Sequence, residues 1–97
     1  MANRLTIAKE GKKGRISIIG DIGWDYFGIS YKTFKAQLAD LGNVDTIDVD
    51  ITSPGGIVTD GVAIMNALVS HPAKVNTIIN GQAASIASVI AMAGRLS

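Results

Sequence analysis

The stretch ITSPGGIVTDG, Ile51 to Gly61, places a proline and two glycines between a strand pattern and a helix pattern. Before it, Ile47, Val49 and Ile51 alternate with two aspartates, which is typical of a β-strand with one buried face. A glycine backbone can adopt positive φ and can approach a ligand without a Cβ in the way. The stretch therefore predicts a strand-to-helix corner whose N–H groups are open to a ligand.

Residues after this corner alternate between helix and strand patterns. A helix is predicted to begin at Thr59 or Asp60, either of which can be its N-cap, and to end at His71 before a proline. Residues 75–79 then form a strand pattern, and residues 84–93 are predicted to be a buried helix because nearly all of them are apolar. This alternation predicts right-handed crossovers and a mainly parallel sheet in an α/β fold.

Residues before the corner predict a hairpin and a further helix. Apolar strand patterns flank the polar segment 9–14, and the segment Gly20 to Gly28 follows as an irregular loop. Tyr31 to Leu41 has the pattern of an amphipathic helix between the N-cap Ser30 and the stop signal Gly42. The side chains predicted to form the core are those of Phe34, Leu38, Ile47, Val49, Ile51, Ile64, Leu68, Ile78, Val89 and Ile90.

Length and composition limit the chain to one small domain without a strongly charged surface. It has 97 residues, a net charge of +1 and no cysteine, so neither a nucleic-acid-binding surface nor a thiolate or disulfide site is predicted. Its longest apolar run, residues 83–94, is shorter than the ~20 residues that span a bilayer, and the N-terminus lacks the apolar core of a signal peptide. We therefore predict a cytoplasmic protein with no membrane partner, and no metal or cofactor is expected.

A second candidate segment is NGQAASIAS, residues 80–88. Ser85 would lie in the first turn of a buried helix, where unpaired N–H groups and the helix dipole stabilise negative charge. Parallel strands deliver their C-terminal ends to one edge of a sheet, so this segment and the glycine corner are expected to be neighbours. The N–H groups of Gly56 and Ile86 would then be two donors aimed at one point, as acyl transfer by a serine requires. Taken alone, each segment is more often only a turn or a helix cap.

The two segments together resemble a known family. Ser53 to Gly56 reads S-P-G-G, and Gly81 to Ser85, which ends thirty residues after Gly55, reads G-Q-A-A-S; this pair is similar to the motifs of the proteolytic subunit of the Clp protease. The segments IIGDIGW and HPAKV are similar to the Clp-like head maturation proteases of tailed phages and prophages. The resemblance implies that Ser85 is the nucleophile, and that Gly56 and Ile86 supply oxyanion-hole N–H groups. It also implies repeated ββα units related to the crotonase fold and assembly into homo-oligomeric rings.

The family's general-base histidine and acidic residue lie beyond the nucleophile helix, at positions this chain does not reach. The sole histidine, His71, is interpreted as a cap or surface residue at a helix C-terminus, and Lys74 is placed ~16 Å from Ser85 by a five-residue strand. We therefore expect residues 1–97 to be a single partial domain, the N-terminal portion of a Clp-like serine endopeptidase, inactive alone. Its expected partners are polypeptide substrates such as capsid or scaffold proteins, and an ATP-driven unfoldase.

Two other functions fit part of the sequence. The chain would be a non-catalytic assembly module if its apolar last helix and sheet edge serve only association. It would be a crotonase-type acyl-CoA enzyme if the two backbone N–H groups polarise a thioester carbonyl. A crotonase needs no hydroxyl at position 85, so the serine favours the peptidase.

Overall fold

A computed structural model of the chain describes residues 4–23, 29–83, 86–92 and 94–96. None of the helices in these ranges is long and apolar enough to cross a membrane. The elements follow one another as β1 Arg4–Glu10, β2 Lys13–Ile19, α1 Tyr31–Leu41, β3 Thr46–Ser53, α2 Val58–Ser70, β4 Lys74–Ala83, α3 Ile86–Ala91 and β5 Arg95–Leu96.

The strands form one five-stranded sheet in the order β1-β2-β3-β4-β5. The hairpin β1–β2 is antiparallel, and the three pairs from β2 to β5 are parallel, which confirms a mainly parallel α/β sheet. Each crossover advances by one strand in the same direction, so right-handed connections put the three helices on one face. The alternating burial of β3 agrees, because Ile47, Val49 and Ile51 are fully buried while the residues between them are partly exposed.

Helix α1 has the bounds that the sequence predicts, because both of its ends are set by local signals. The Ser30 side chain accepts a hydrogen bond from the Thr33 N–H at 3.2 Å, as an N-cap does. Gly42 follows the last turn with a φ of 72°, a conformation that favours glycine.

Helix α2 begins before the predicted N-cap. Its first residue is Val58, and Ile57 at the N-cap position makes no side-chain capping hydrogen bond. Asp60 Oδ2 instead accepts a hydrogen bond from the Tyr31 N–H at 2.9 Å, so this carboxylate satisfies the first turn of α1 rather than that of its own helix. The predicted cap is wrong because α2 begins at Val58, so Thr59 and Asp60 lie within its first turn and not at the N-cap position.

The core lies between the sheet and the helices and contains most of the predicted residues. Leu38 and Val89 are only partly buried against it, and Ile78 lies on the other face of the sheet. Ile78 was predicted wrongly because the buried residues Val75 and Thr77 face the helices, and alternation along β4 turns Ile78 to the other side. The core also contains residues that the sequence did not single out: Ile16, Ile18, Ile22, Ile29, Leu41, Val44, Ala73, Val75, Ala87 and Ala91.

The outer edge of β4 is covered in part by the chain itself. The short strand β5 returns to this edge and pairs with β4 at Asn76 and Thr77.

Candidate active site

The glycine corner follows β3 directly and requires glycine for a steric reason. Gly55 has a φ of 111° and Gly56 a φ of 157°. A Cβ at position 56 would overlap the Ile22 carbonyl oxygen and would lie 2.7 Å from the Ile22 nitrogen. Both contacts are with backbone, which cannot rotate away, so only glycine fits beside Ile22.

Two hydrogen bonds to Ile22 orient the corner. The Ile22 N–H donates to the Gly55 carbonyl at 2.9 Å, and the Ile57 N–H donates to the Ile22 carbonyl at 2.9 Å. The peptide bond between Gly55 and Gly56 is planar and trans, so its N–H points away from its C=O. The Gly56 N–H therefore points away from Ile22, towards the side of the sheet where β4 lies.

Gly56 is also accessible and its N–H has no described partner. Gly55 is buried, whereas Gly56 is exposed. Among the described residues none accepts a hydrogen bond from the Gly56 N–H. An exposed donor in a backbone fixed by its neighbours is the arrangement that stabilises developing negative charge without reorganisation.

The register between β3 and β4 brings the second candidate segment to this corner. Ile51 pairs with Ile79 and Ser53 pairs with Ala83, so β4 gains two extra residues over this interval. The sequence predicted that the strand ends at Ile79, and it continues to Ala83 because the bulge allows pairing with β3 to resume. The chain therefore leaves β4 beside the end of β3, two residues before Ser85.

The structure describes two of the three predicted site residues. Gly56 lies at the corner, and Ile86 is the first residue of α3, where N–H groups have no intrahelical acceptor. Ser85, the predicted nucleophile, lies outside the described residues. The fold thus brings the corner and the end of β4 to one edge of the sheet, and the position of Ser85 stays a prediction.

Helix α3 is tied to the sheet by a buried hydrogen bond. The Thr77 hydroxyl donates to the Ala91 carbonyl at 2.7 Å, and the Thr77 side chain is fully buried. This bond satisfies one of the carbonyls that the end of a helix leaves without a partner. It fixes the last turn of α3 against β4.

His71 and Lys74 lie at the opposite end of the sheet. His71 is the C-cap of α2, its N–H donates to the Leu68 carbonyl, and its Nδ1 accepts a hydrogen bond from the Ala73 N–H at 3.0 Å. The capping interpretation of His71 is confirmed. Lys74 begins a strand of ten residues, so at a rise of about 3.3 Å per residue it is roughly 25 to 30 Å from Ala83. The predicted five-residue separation was therefore too short.

The face of the sheet opposite the helices carries a small charged network. Lys13 Nζ lies 2.9 Å from Asp48 Oδ2, and Asn76 Nδ2 donates to Asp48 Oδ1 at 3.3 Å. The hydrogen bond from Lys13 is the main cause that lowers the pKa of Asp48, and partial burial opposes it. In the described part of the chain no three acidic or histidine side chains lie close enough together to hold a metal ion.

Sequence reasoning missed two residues of the corner. Ile22 has no pattern that would identify it, because its role depends on backbone pairing with Gly55 and Ile57. Ser53 had a signal, since it is polar at a position where alternation predicts a buried side chain. Its side chain is fully buried and contacts the corner.

Comparisons with known proteins agree with the sequence motifs. A family model described as Clp protease matches residues 12–97. The chain is 40% identical over 83 residues to the ATP-dependent Clp protease proteolytic subunit of Bacteroides fragilis, covering 82% of this chain and 39% of that protein. It is 38% identical over 85 residues to the ATP-dependent Clp protease proteolytic subunit 1 of Shouchella clausii, covering 84% of this chain and 42% of that protein. The chain thus spans about two fifths of the length of these curated relatives.

Proposed function

Since this chain belongs to the Clp protease family, we propose that it is part of a serine endopeptidase in which Ser85 is the nucleophile. The N–H groups of Gly56 and Ile86 form the oxyanion hole, and polypeptides are the substrates. The observation that carries this proposal is the orientation of the Gly56 N–H, which belongs to an exposed residue and points towards the β4 side of the corner.

The chemistry follows from these donors. The Ser85 hydroxyl oxygen attacks the carbonyl carbon of the scissile peptide, and the carbonyl oxygen becomes an oxyanion. Two backbone N–H groups fixed in place stabilise this charge, and loss of one such donor typically costs about 10²- to 10³-fold in rate. The acyl-enzyme is then hydrolysed by water.

The proton of Ser85 needs an acceptor that His71 does not provide. His71 is the sole histidine of the chain and lies at the far end of the sheet. We propose that the base and its acidic partner are supplied by a region that corresponds to the part of the relatives that this chain does not match. The chain alone is then inactive, because losing triad members costs on the order of 10⁴- to 10⁶-fold in rate.

The finer proposal is a head maturation protease of phage or prophage type. The segments IIGDIGW and HPAKV support it. In this proposal the protein acts in the cytoplasm as a homo-oligomer on capsid or scaffold proteins. An ATP-driven unfoldase is a further proposed partner, as the words "ATP-dependent" in the names of both relatives favour.

Labelling with a fluorophosphonate tests the nucleophile in the full-length protein. We expect the wild type to be labelled at Ser85, and the Ser85→Ala variant to lose both labelling and peptide cleavage. Ser88→Ala, a serine of α3 three residues further along the chain, is the matched control and should keep both labelling and cleavage. Cleavage by the Ser85→Ala variant at the wild-type rate would contradict the assignment.

A second candidate function is a non-catalytic assembly module. It is favoured by a stripe of exposed valines along α2, namely Val58, Val62 and Val69, of which Val58 and Val69 are each 60% exposed. An apolar stripe of this kind is typical of a surface that another polypeptide covers. Size-exclusion chromatography of the 97-residue chain tests it, and a monomer at all concentrations would count against it.

A further inference from the structure

Ser53 is an unusual residue for its position. It is the last residue of β3, and the preceding residues on the same face, Ile47, Val49 and Ile51, are all apolar and fully buried. Burying a hydroxyl in such a place costs free energy unless the group is hydrogen-bonded. An alanine or valine would continue the pattern at lower cost, so the serine calls for a specific role.

The Ser53 hydroxyl contacts the glycine corner directly. Its Oγ accepts a hydrogen bond from the Gly55 N–H at 3.1 Å, and this bond is buried. The contact reaches across Pro54, as a serine side chain does when it closes a turn onto the backbone two residues later.

Both polar groups of Gly55 are therefore fixed. Its N–H is held by Ser53 and its carbonyl by the Ile22 N–H. Glycine has the widest backbone freedom of all residues, so two anchors are what restrict it to one conformation. The Gly56 N–H belongs to the same peptide plane as the Gly55 carbonyl, and its direction is set by the same anchors.

We propose that Ser53 is a positioning residue whose buried hydroxyl holds Gly55 so that the Gly56 N–H points at the developing oxyanion. This inference rests on the proposed function, because it concerns the orientation of the same oxyanion hole. Ser53 does not touch the substrate in this proposal and acts only through the backbone of the corner.

The test compares Ser53→Ala, Ser53→Cys and Ser53→Thr in the full-length protein with a peptide substrate. Alanine removes the acceptor, cysteine keeps the volume with a much weaker acceptor, and threonine keeps the hydroxyl. We expect kcat to fall about tenfold for alanine and cysteine with KM within about twofold, because an interaction that acts only in the transition state is weakened. Threonine should restore most of kcat.

Ser30→Ala is the matched control. Ser30 is also buried, and its hydroxyl also accepts a backbone N–H, but it caps α1 away from the corner. A loss of folding stability alone would affect both alanine variants similarly and would leave kcat per folded molecule unchanged.

The outcomes separate this inference from the proposed function. If the wild type is labelled by a fluorophosphonate at Ser85 and the alanine and cysteine variants at position 53 keep wild-type kcat, the positioning role is wrong and the peptidase assignment stands. A wild type that is not labelled at Ser85 overturns both.

Discussion

Gly56 is the residue at which the fold and the proposed chemistry depend on the same atoms. We expect Gly56→Ala to lower the free energy of unfolding by at least about 2 kcal/mol, because the new Cβ would overlap the Ile22 backbone. Chemical denaturation measures this change.

Gly11→Ala separates the steric effect from the backbone effect. Gly11 also has a positive φ, of 61°, but a Cβ there would meet nothing within 4 Å. Its substitution should therefore cost only the strain of that backbone conformation, about 1 kcal/mol. Equal losses for the two variants would show that contact with Ile22 does not restrict position 56.

At the scale of elements, Asp60 links the starts of two helices. Its carboxylate lies in the first turn of α2 and accepts the Tyr31 N–H of α1. We expect Asp60→Ala to lower the free energy of unfolding by about 1 kcal/mol, and Asp60→Asn by less, because the amide keeps an acceptor oxygen. Thermal or urea unfolding measures both.

The exposed neighbour Thr59 is the control for this prediction. The sequence predicted either Thr59 or Asp60 as the N-cap, but α2 begins before both of them. Thr59→Ala should change the free energy of unfolding by less than about 0.5 kcal/mol. If Thr59→Ala lowers the free energy of unfolding more than Asp60→Ala does, the stabilising contact with the start of α1 was assigned to the wrong residue.

The bounds of a helix or strand could be predicted from the sequence only where neighbouring residues in the chain set them. Helix α1 was predicted at both ends because Ser30 and Gly42 act within one turn of it. The length of β4 was not predicted, because its last residues are held by the pairing of Ala83 with Ser53 across a bulge. Likewise, the two glycines predict a corner after β3 from the sequence alone. The anchoring of that corner by Ile22 and Ser53 appears only when the strands are assembled.

At the scale of the whole molecule, Asp48 connects three strands, since Lys13 is on β2 and Asn76 on β4. Its pKa is lowered in the folded state, so its contribution to stability is present above the unfolded-state pKa near 4 and is lost as the pH falls through the lower folded-state value. The contribution is at most about 1 kcal/mol, because Lys13 is 52% exposed and solvent screens the pair.

Asp48→Asn should therefore destabilise the protein at pH 7 and much less at pH 3. Urea unfolding at both values measures the difference between variant and wild type. Asp40→Asn, on the exposed side of α1, serves as the control for the general effect of removing a carboxylate. A destabilisation by Asp48→Asn that is the same at both pH values would contradict the role of this ion pair.

The order of the strands has a consequence for how the molecule is made. Strands leave the ribosome in the same sequence in which they lie side by side, and consecutive parallel partners are separated by a single helix. Each newly synthesised strand thus meets an edge that is already in place, and no earlier pairing has to open to admit it. The sheet can therefore grow during translation by adding one strand at a time to its free edge.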